Sequence, residues 1–270
     1  MPNFEYILQS FGLDPSENCP ERFGSGLIHA TYMVRNNGEP AYILQRVNHQ
    51  VFKKPEDIAH NIRIIDSFLK IHHPEYLFTS FIADIDGNDY VMDEGNYYRL
   101  SRFVPGTHTL DTCEQPEQAY EAAKQFGKFT AVLADLRTDM LRYTIPGFHD
   151  LGFRYEQFTK ALKEGDADRI SATKDVSTFL LDRNNIVERY KYIQNDPYFK
   201  KRVTHHDTKI NNVLFSENNK GVCVIDLDTV MPGYFISDLG DMIRTYVSPA
   251  NEEVQDMDVL EVHSLGLDLG

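Results

Sequence analysis

Between Val203 and Asp228 the chain reads Val-Thr-His-His-Asp-Thr-Lys-Ile-Asn-Asn-Val-Leu-Phe and, past a short polar stretch, Gly-Val-Cys-Val-Ile-Asp-Leu-Asp. His205 and Asp207 stand two apart, Asn212 follows that aspartate by five, and Asp226 closes an apolar run. Such a set suits phosphoryl transfer. One carboxylate accepts the proton of an attacking hydroxyl, while an amide oxygen and a second carboxylate hold Mg²⁺ against nucleotide phosphates. Each fragment by itself is ordinary turn chemistry, since His-x-Asp is common at strand-to-loop junctions and an aspartate closing a strand often caps the next turn. Spacing, flanking strands and the later aspartate agree together, and the joint pattern points to a kinase-like site.

The elements around these residues must bring them to one place. Val222 to Ile225 reads as a buried strand and Val213-Leu-Phe as its hairpin partner across the turn Ser216 to Gly221, so Asp207, Asn212 and Asp226 can meet at one end. Upstream, Phe23-Gly-Ser-Gly-Leu-Ile-His-Ala-Thr-Tyr-Met-Val-Arg is a glycine-centred turn running into a strand. Gly24, Ser25 and Gly26 let backbone approach a polyanion, although an ordinary hairpin turn has the same composition. No Walker-type loop is present, because Gly127-Lys128 is followed by Phe129. Asn36-Asn-Gly-Glu-Pro40 predicts a turn and Ala41 to Val47 the returning strand. Many kinases end their third strand on a lysine that contacts phosphates. Here Gln45 and Arg46 occupy that region.

The remaining pattern predicts an α+β chain in two parts. Helices are expected over Phe4–Phe11 and over Pro55–Lys70, the latter with Ile58, Ile62, Ile65 and Leu69 on one face. A hairpin is expected from Phe78–Asp84 and Tyr90–Asp93 around Asp86-Gly-Asn88, then a strand from Tyr97 to Val104. Pro105-Gly106 marks a linker, which makes residues 1–106 a nucleotide-binding lobe and 107–270 a catalytic lobe. Phe103 and Val104, at the strand exit, join the nucleotide-binding candidates. Further helices are expected over Pro116–Leu136, Phe153–Lys163, Val176–Gln194 and from Ser237-Asp238 to about Tyr246, with Met231-Pro-Gly as a turn.

Composition narrows the function classes. With 27 basic and 41 acidic residues the net charge is −14, which argues against nucleic acid as a partner. Cys19, Cys113 and Cys223 are scattered and odd in number, so neither a disulfide framework nor a zinc ribbon is expected. The N-terminus lacks the features of a signal peptide and no apolar run reaches membrane-spanning length, so a cytoplasmic protein is expected. Consecutive His205 and His206 on an extended strand would point to opposite faces, which disfavours a metal hydrolase.

The motif His205-x-Asp207 with Asn212 and then Ile225-Asp226 resembles the aminoglycoside phosphotransferase and choline kinase superfamily. Within it the chain is most similar to the N-acetylhexosamine 1-kinases, through Gly24-Ser-Gly-Leu-Ile-His-Ala-Thr-Tyr32, Tyr42 to Asn48, Ile145 to His149, Val203 to Asn212 and Val224 to Gly233. The resemblance implies a two-lobed protein-kinase-like fold that phosphorylates the anomeric hydroxyl of a small-molecule sugar with ATP and Mg²⁺. It implies Asp207 as the catalytic base, His205 as a prop for the catalytic loop, and Asn212 and Asp226 as magnesium ligands. Asp228 is either a further metal-shell residue or a turn residue. Gln45 stands in place of the superfamily's phosphate-binding lysine, with Arg46 and Lys209 as candidates to meet the phosphate charge, and Leu27 stands where a sugar-kinase relative carries histidine. Other acceptors (choline, an aminoglycoside, homoserine) and a non-catalytic nucleotide-binding protein are the competing readings. Relatives continue with further helices, so an apolar surface formed by Leu239, Met242, Ile243 and Tyr246 is expected near the end of a truncated catalytic lobe, open to dimerisation.

Overall fold

Primed turns and alternating apolar residues fold the first hundred residues into an antiparallel sheet. The computed structural model describes residues 2–24 and 28–248. Helix α1, Phe4–Ser10, is capped by the Asn3 side chain, which accepts from the Tyr6 N–H. Strands β1 (Asn18–Arg22), β2 (Ala30–Asn36) and β3 (Glu39–Val47) follow, and β1 is absent from the sequence expectation. Asn37 and Gly38, with φ of 48° and 89°, form the left-handed pair that a two-residue hairpin requires. Helix α2, Pro55–His72, buries Ile58, Ile62, Ile65 and Leu69 on one stripe, as their spacing predicts. Strands β4 (Phe81–Ile82), β5 (Val91–Asp93) and β6 (Asn96–Arg102) complete the sheet, in the order β1-β2-β3-β6-β4 with β5 also on β6.

The expected hairpin between 78–84 and 90–93 does not form. Both β4 and β5 pair with β6 instead. The turn itself is present, closed by the Asp84 carboxylate on the N–H groups of Asp86 and Asn88. A second primed turn at Glu94 and Gly95 (φ 47° and 76°) folds β5 onto β6, and so decides the pairing. One face of the sheet packs Val34, Leu44, Val91, Tyr98 and Leu100 against Ile7, Leu8 and Phe11. Each such side chain, fully buried, contributes about 1.5–3 kcal/mol. The opposite face carries Thr31, Gln45 and Arg99, register neighbours across β2, β3 and β6.

Strand β7 (Thr107–His108) leaves this sheet to join a second one, and helix α3 spans Pro116–Val132 with Phe126 and Phe129 buried. Residues Ile145–Lys201 form a separate compact unit, distinct from the unit made of the chain up to Thr144 and from Arg202 onward. This helical unit holds α4 (Leu151–Glu164), α5 (Ala167–Ala172), α6 (Lys174–Leu181) and α7 (Asn184–Asn195). The single helix expected over Val176–Gln194 is therefore two. Arg183 ends α6 by donating to the Phe179 carbonyl at 2.9 Å while stacking on the Phe179 ring, a capping arrangement that substitutes for continued helix.

The chain then supplies β8 (Arg202–Thr204), β9 (Val213–Ser216), β10 (Gly221–Val224), β11 (Met231–Gly233) and α8 (Phe235–Tyr246). The β9–β10 hairpin forms as expected and carries β7 on its edge. Met231-Pro-Gly is a strand paired with β8, not a turn, and α8 starts at Phe235, ahead of Ser237. On α8, Met242 and Tyr246 are buried whereas Leu239 and Ile243 remain 46% and 48% exposed, so the expected apolar face is half covered. The tail from Glu252 lies outside the described residues. Among those residues, no helix is long and apolar enough to cross a membrane.

Candidate active site

Helix α8 holds the loop that follows β8. The backbone N–H groups of His205 and His206 donate to the two carboxylate oxygens of Asp238, each at 2.8 Å. Thr208 adds its N–H to the Asp241 carboxylate at 2.7 Å and its hydroxyl to the Asp238 carbonyl at 2.8 Å. Asp238 thus serves the loop and not the helix start for which its position first recommends it. His206 adopts φ 67°, and Gly233 lies so close that a Cβ there would fall 2.3 Å from the Thr204 hydroxyl. The loop is turned tightly and pinned from one side.

His205 is the internal brace of this loop. Its Nδ1 accepts the Asp207 N–H at 3.3 Å, so the ring proton sits on Nε2 and is donated to the Ile225 carbonyl at 3.0 Å. The ring is fully buried, edge-on to Phe126 and Phe129 at 5.1 and 6.1 Å. With both nitrogens committed, His205 positions the loop and takes no part at a reacting atom.

Asp207 and Asn212 meet as their spacing predicts. The Asn212 amide nitrogen donates to Asp207 Oδ2 at 2.9 Å and to the Asp207 carbonyl at 2.8 Å, and Lys209 Nζ lies 3.4 Å from Oδ1. The Asn212 carbonyl accepts the Ile225 N–H at 2.9 Å, which ties this pair to the residue before Asp226. Asp226 is solvent-accessible and left-handed, with φ 55° and ψ 65°, a strained backbone for a residue with a side chain. Although its side chain reaches solvent, the protein packed around the carboxyl and the like charges of Asp228 and Asp207 raise its proton affinity above the ordinary carboxylate value, against the pull of Arg99 and His29.

Asp228, two residues on, has the opposite electrostatics. Burial acts to raise its proton affinity, but the Arg99 charge and the His29 hydrogen bond outweigh it and hold the carboxyl well below the ordinary value. Arg99 grips both oxygens as a fork, with Nη1 on Oδ1 and Nη2 on Oδ2, the latter at 2.9 Å. His29 Nδ1 accepts the Asn48 N–H at 3.0 Å, so Nε2 donates to Asp228 at 2.6 Å. Gln45 joins the cluster through Oε1, which accepts from Arg99 Nε and Nη2 at 3.1 and 2.9 Å.

The other sequence candidates scatter. Arg46 pairs with Tyr98 on the face of the sheet turned towards α1, away from Gln45. Phe103 bonds Ala41 through its N–H, and the Val104 carbonyl accepts the Thr107 hydroxyl, so both belong to the crossing between sheets. Gly24 has φ 74°, while Ser25, Gly26 and Leu27 lie outside the described residues. Sequence reasoning missed Arg99, His29 and Asp238. Arg99 did leave a signal, an arginine inside the apolar strand Tyr97-Tyr-Arg-Leu, where a buried charge demands a carboxylate partner.

Residues 20–260 match the model of the phosphotransferase enzyme family. The chain belongs to this family. Its structure is similar to an aminoglycoside phosphotransferase from Alicyclobacillus acidocaldarius, with TM-score 0.59 and 15% identity over 90% of this chain and 70% of that one. A microcompartment-associated aminopropanol kinase gives TM-score 0.58 and 19% identity, covering 87% and 71%. Choline kinase from Cryptosporidium parvum gives 0.55 and 16%, covering 98% and 71%. Identities this low carry the fold, which is the α+β protein-kinase-like one.

The donor set of this family member suits Mg²⁺ in one specific way. Among the described residues no three His, Cys, Asp or Glu side chains form an all-protein metal cage. Mg²⁺ does not need one, since it commonly takes one or two protein oxygens and fills its octahedron with water and phosphate. Asp226, repelled by two carboxylates, has no cation paired to it directly among the described residues, and the Asn212 amide nitrogen faces Asp207, which leaves its oxygen for other use. These two fit the ion. Asp228 is already matched by Arg99 and His29.

Proposed function

We propose that this phosphotransferase uses Mg·ATP to phosphorylate a hydroxyl of a small molecule, with the anomeric hydroxyl of an N-acetylhexosamine as acceptor. The observation that carries the reading is the Asp207 carboxylate, oriented by Asn212 and set near the Asp226 carboxyl. Asp207 accepts the proton of the attacking hydroxyl as its oxygen bonds to the γ-phosphorus and the bond from that phosphorus to the bridging oxygen breaks, releasing ADP. Lys209, beside Asp207, offers positive charge to oxygens of the transferring phosphoryl group. Asn212 and Asp226 hold Mg²⁺, which neutralises charge developing on the phosphates when bound. His205, Asp238 and Thr208 keep the base in place. The acceptor assignment rests on the motif resemblance to the hexosamine kinases.

The test is ATP consumption by the purified chain against N-acetylglucosamine, N-acetylgalactosamine, choline and an aminoglycoside, with products identified by phosphorus NMR. A sugar 1-phosphate as main product is expected. Phosphocholine without sugar phosphate would overturn the acceptor while leaving the family chemistry standing.

A further inference from the structure

We propose that Arg99 is the phosphate-facing cation of the nucleotide site, displaced by one strand from β3 to its register partner on β6. The inference rests on the Mg·ATP reading above and adds a residue to it. In many kinases a lysine of the third strand contacts the nucleotide phosphates and is steadied by a carboxylate. Gln45, in that region here, is uncharged, and the charge on the same sheet face belongs to Arg99, directly opposite it in the β3–β6 ladder. Asp228 takes the steadying role, gripping the guanidinium by both nitrogens. Phe81 supports it from one side, with the guanidinium carbon 4.7 Å from the ring centre.

The hydrogen-bond inventory is incomplete in a way that points to a ligand. A guanidinium has five N–H donors. Nε gives one to Gln45, Nη2 gives one each to Gln45 and Asp228, and Nη1 gives one to Asp228. One N–H of Nη1 has no acceptor among the described residues, although Arg99 is only 4% exposed. Asp228, which Arg99 grips through both oxygens, stands two residues after Asp226, the carboxyl assigned to Mg²⁺. Of the other candidate cations, Arg46 lies on the far face of the sheet, and Lys209, beside Asp207, serves the transferring phosphoryl group and not the sheet face that carries Gln45. A phosphate oxygen of Mg·ATP would complete the donor set of Arg99.

The decisive measurement is the ratio of affinities for Mg·ATP and adenosine, by calorimetry, in the parent, Arg99→Gln and Gln45→Lys/Arg99→Gln. A merely structural arginine would weaken both ligands alike. We expect Arg99→Gln to reduce the preference for Mg·ATP by about 10- to 100-fold, as loss of a charge-assisted bond does. The double variant, with the cation returned to β3, should regain most of it. An Arg99→Gln protein that keeps the parental ratio within about threefold overturns the proposal. If that variant does not fold, the double variant decides, and a folded double that binds adenosine without preferring Mg·ATP overturns it equally. A parent that fails to bind Mg·ATP would instead strike the nucleotide reading beneath it.

Discussion

The catalytic loop and the helical unit of Ile145–Lys201 are built on opposite principles. In the loop and its supports, Thr204, His205, Thr208, Asp228 and Asp238 are all at most 2% exposed, and their hydrogen bonds join distant parts of the chain. In the helical unit many side-chain bonds stay within a few residues, and the Tyr190–His149 contact is a longer one. Val187 and Ser177 are its buried residues, while Val176 is 63% and Tyr198 92% exposed. The difference teaches where positional accuracy lies. The proposed phosphoryl transfer would need Asp207, Asn212 and Asp226 fixed relative to one another, and long-range bonds to buried groups do that.

The largest test of this contrast is Asp207→Asn. It preserves shape, removes the proton acceptor, and should lower turnover ~10²–10⁴-fold with Mg·ATP affinity little changed. Turnover within about threefold of the parent would remove Asp207 from the chemistry.

Asp238→Asn comes next. The amide retains one acceptor oxygen, so one of the His205 and His206 N–H groups loses a charged partner inside the protein. A loss of about 1–3 kcal/mol is expected, with a melting temperature lower by several degrees. Turnover should fall more than KM for ATP rises, because the loop and not the nucleotide is loosened. Equal loss in both would mean that Asp238 supports the whole site.

Asp226→Asn should act in the opposite sense on stability. The proton affinity of Asp226 is raised in the folded state above its ordinary value of 3.8, so its ionised form opposes folding when no cation is present. That penalty is absent below the ordinary value, grows as pH rises from there to the folded-state value, and is constant above it. At neutral pH without Mg²⁺, the variant should therefore melt about 2–4 °C higher, taking ~1 kcal/mol after discounting for solvent screening. Mg·ATP stabilisation should vanish in the same protein. Asp228 has the reverse dependence. Its contribution is present above the ordinary value and is lost only as pH falls well below it. No stabilisation of Asp226→Asn in metal-free buffer would show that the carboxyl carries no unrelieved charge.

The smallest effects belong to the helical unit. Val176→Ser and Tyr198→Ser should each change stability by no more than about 0.5 kcal/mol, since both side chains are largely in water. A large loss at either would mean that this surface is covered in solution, and the contrast with the loop would fail.

Local pattern determined a good part of this protein. The spacing of Asp207 and Asn212 placed one within hydrogen-bonding reach of the other, the apolar run before Asp226 built a strand, and the stripe Ile58–Leu69 buried one face of a helix. These are consequences of short-range geometry, which neighbouring residues carry in full. Strand partners were less legible, because β4, β5 and β6 could pair in more than one way until the turn at Glu94-Gly95 chose. Charge partnership was least legible of all. Asp226 and Asp228 are the same residue type two positions apart, and what distinguishes them is that Asp226 reaches solvent while Asp228 is buried against Arg99 and His29, brought from more than a hundred residues away. A carboxylate's role depends on the charges and solvent around it, and in this chain those are set by contacts that exist only once the sheet and the catalytic loop have come together.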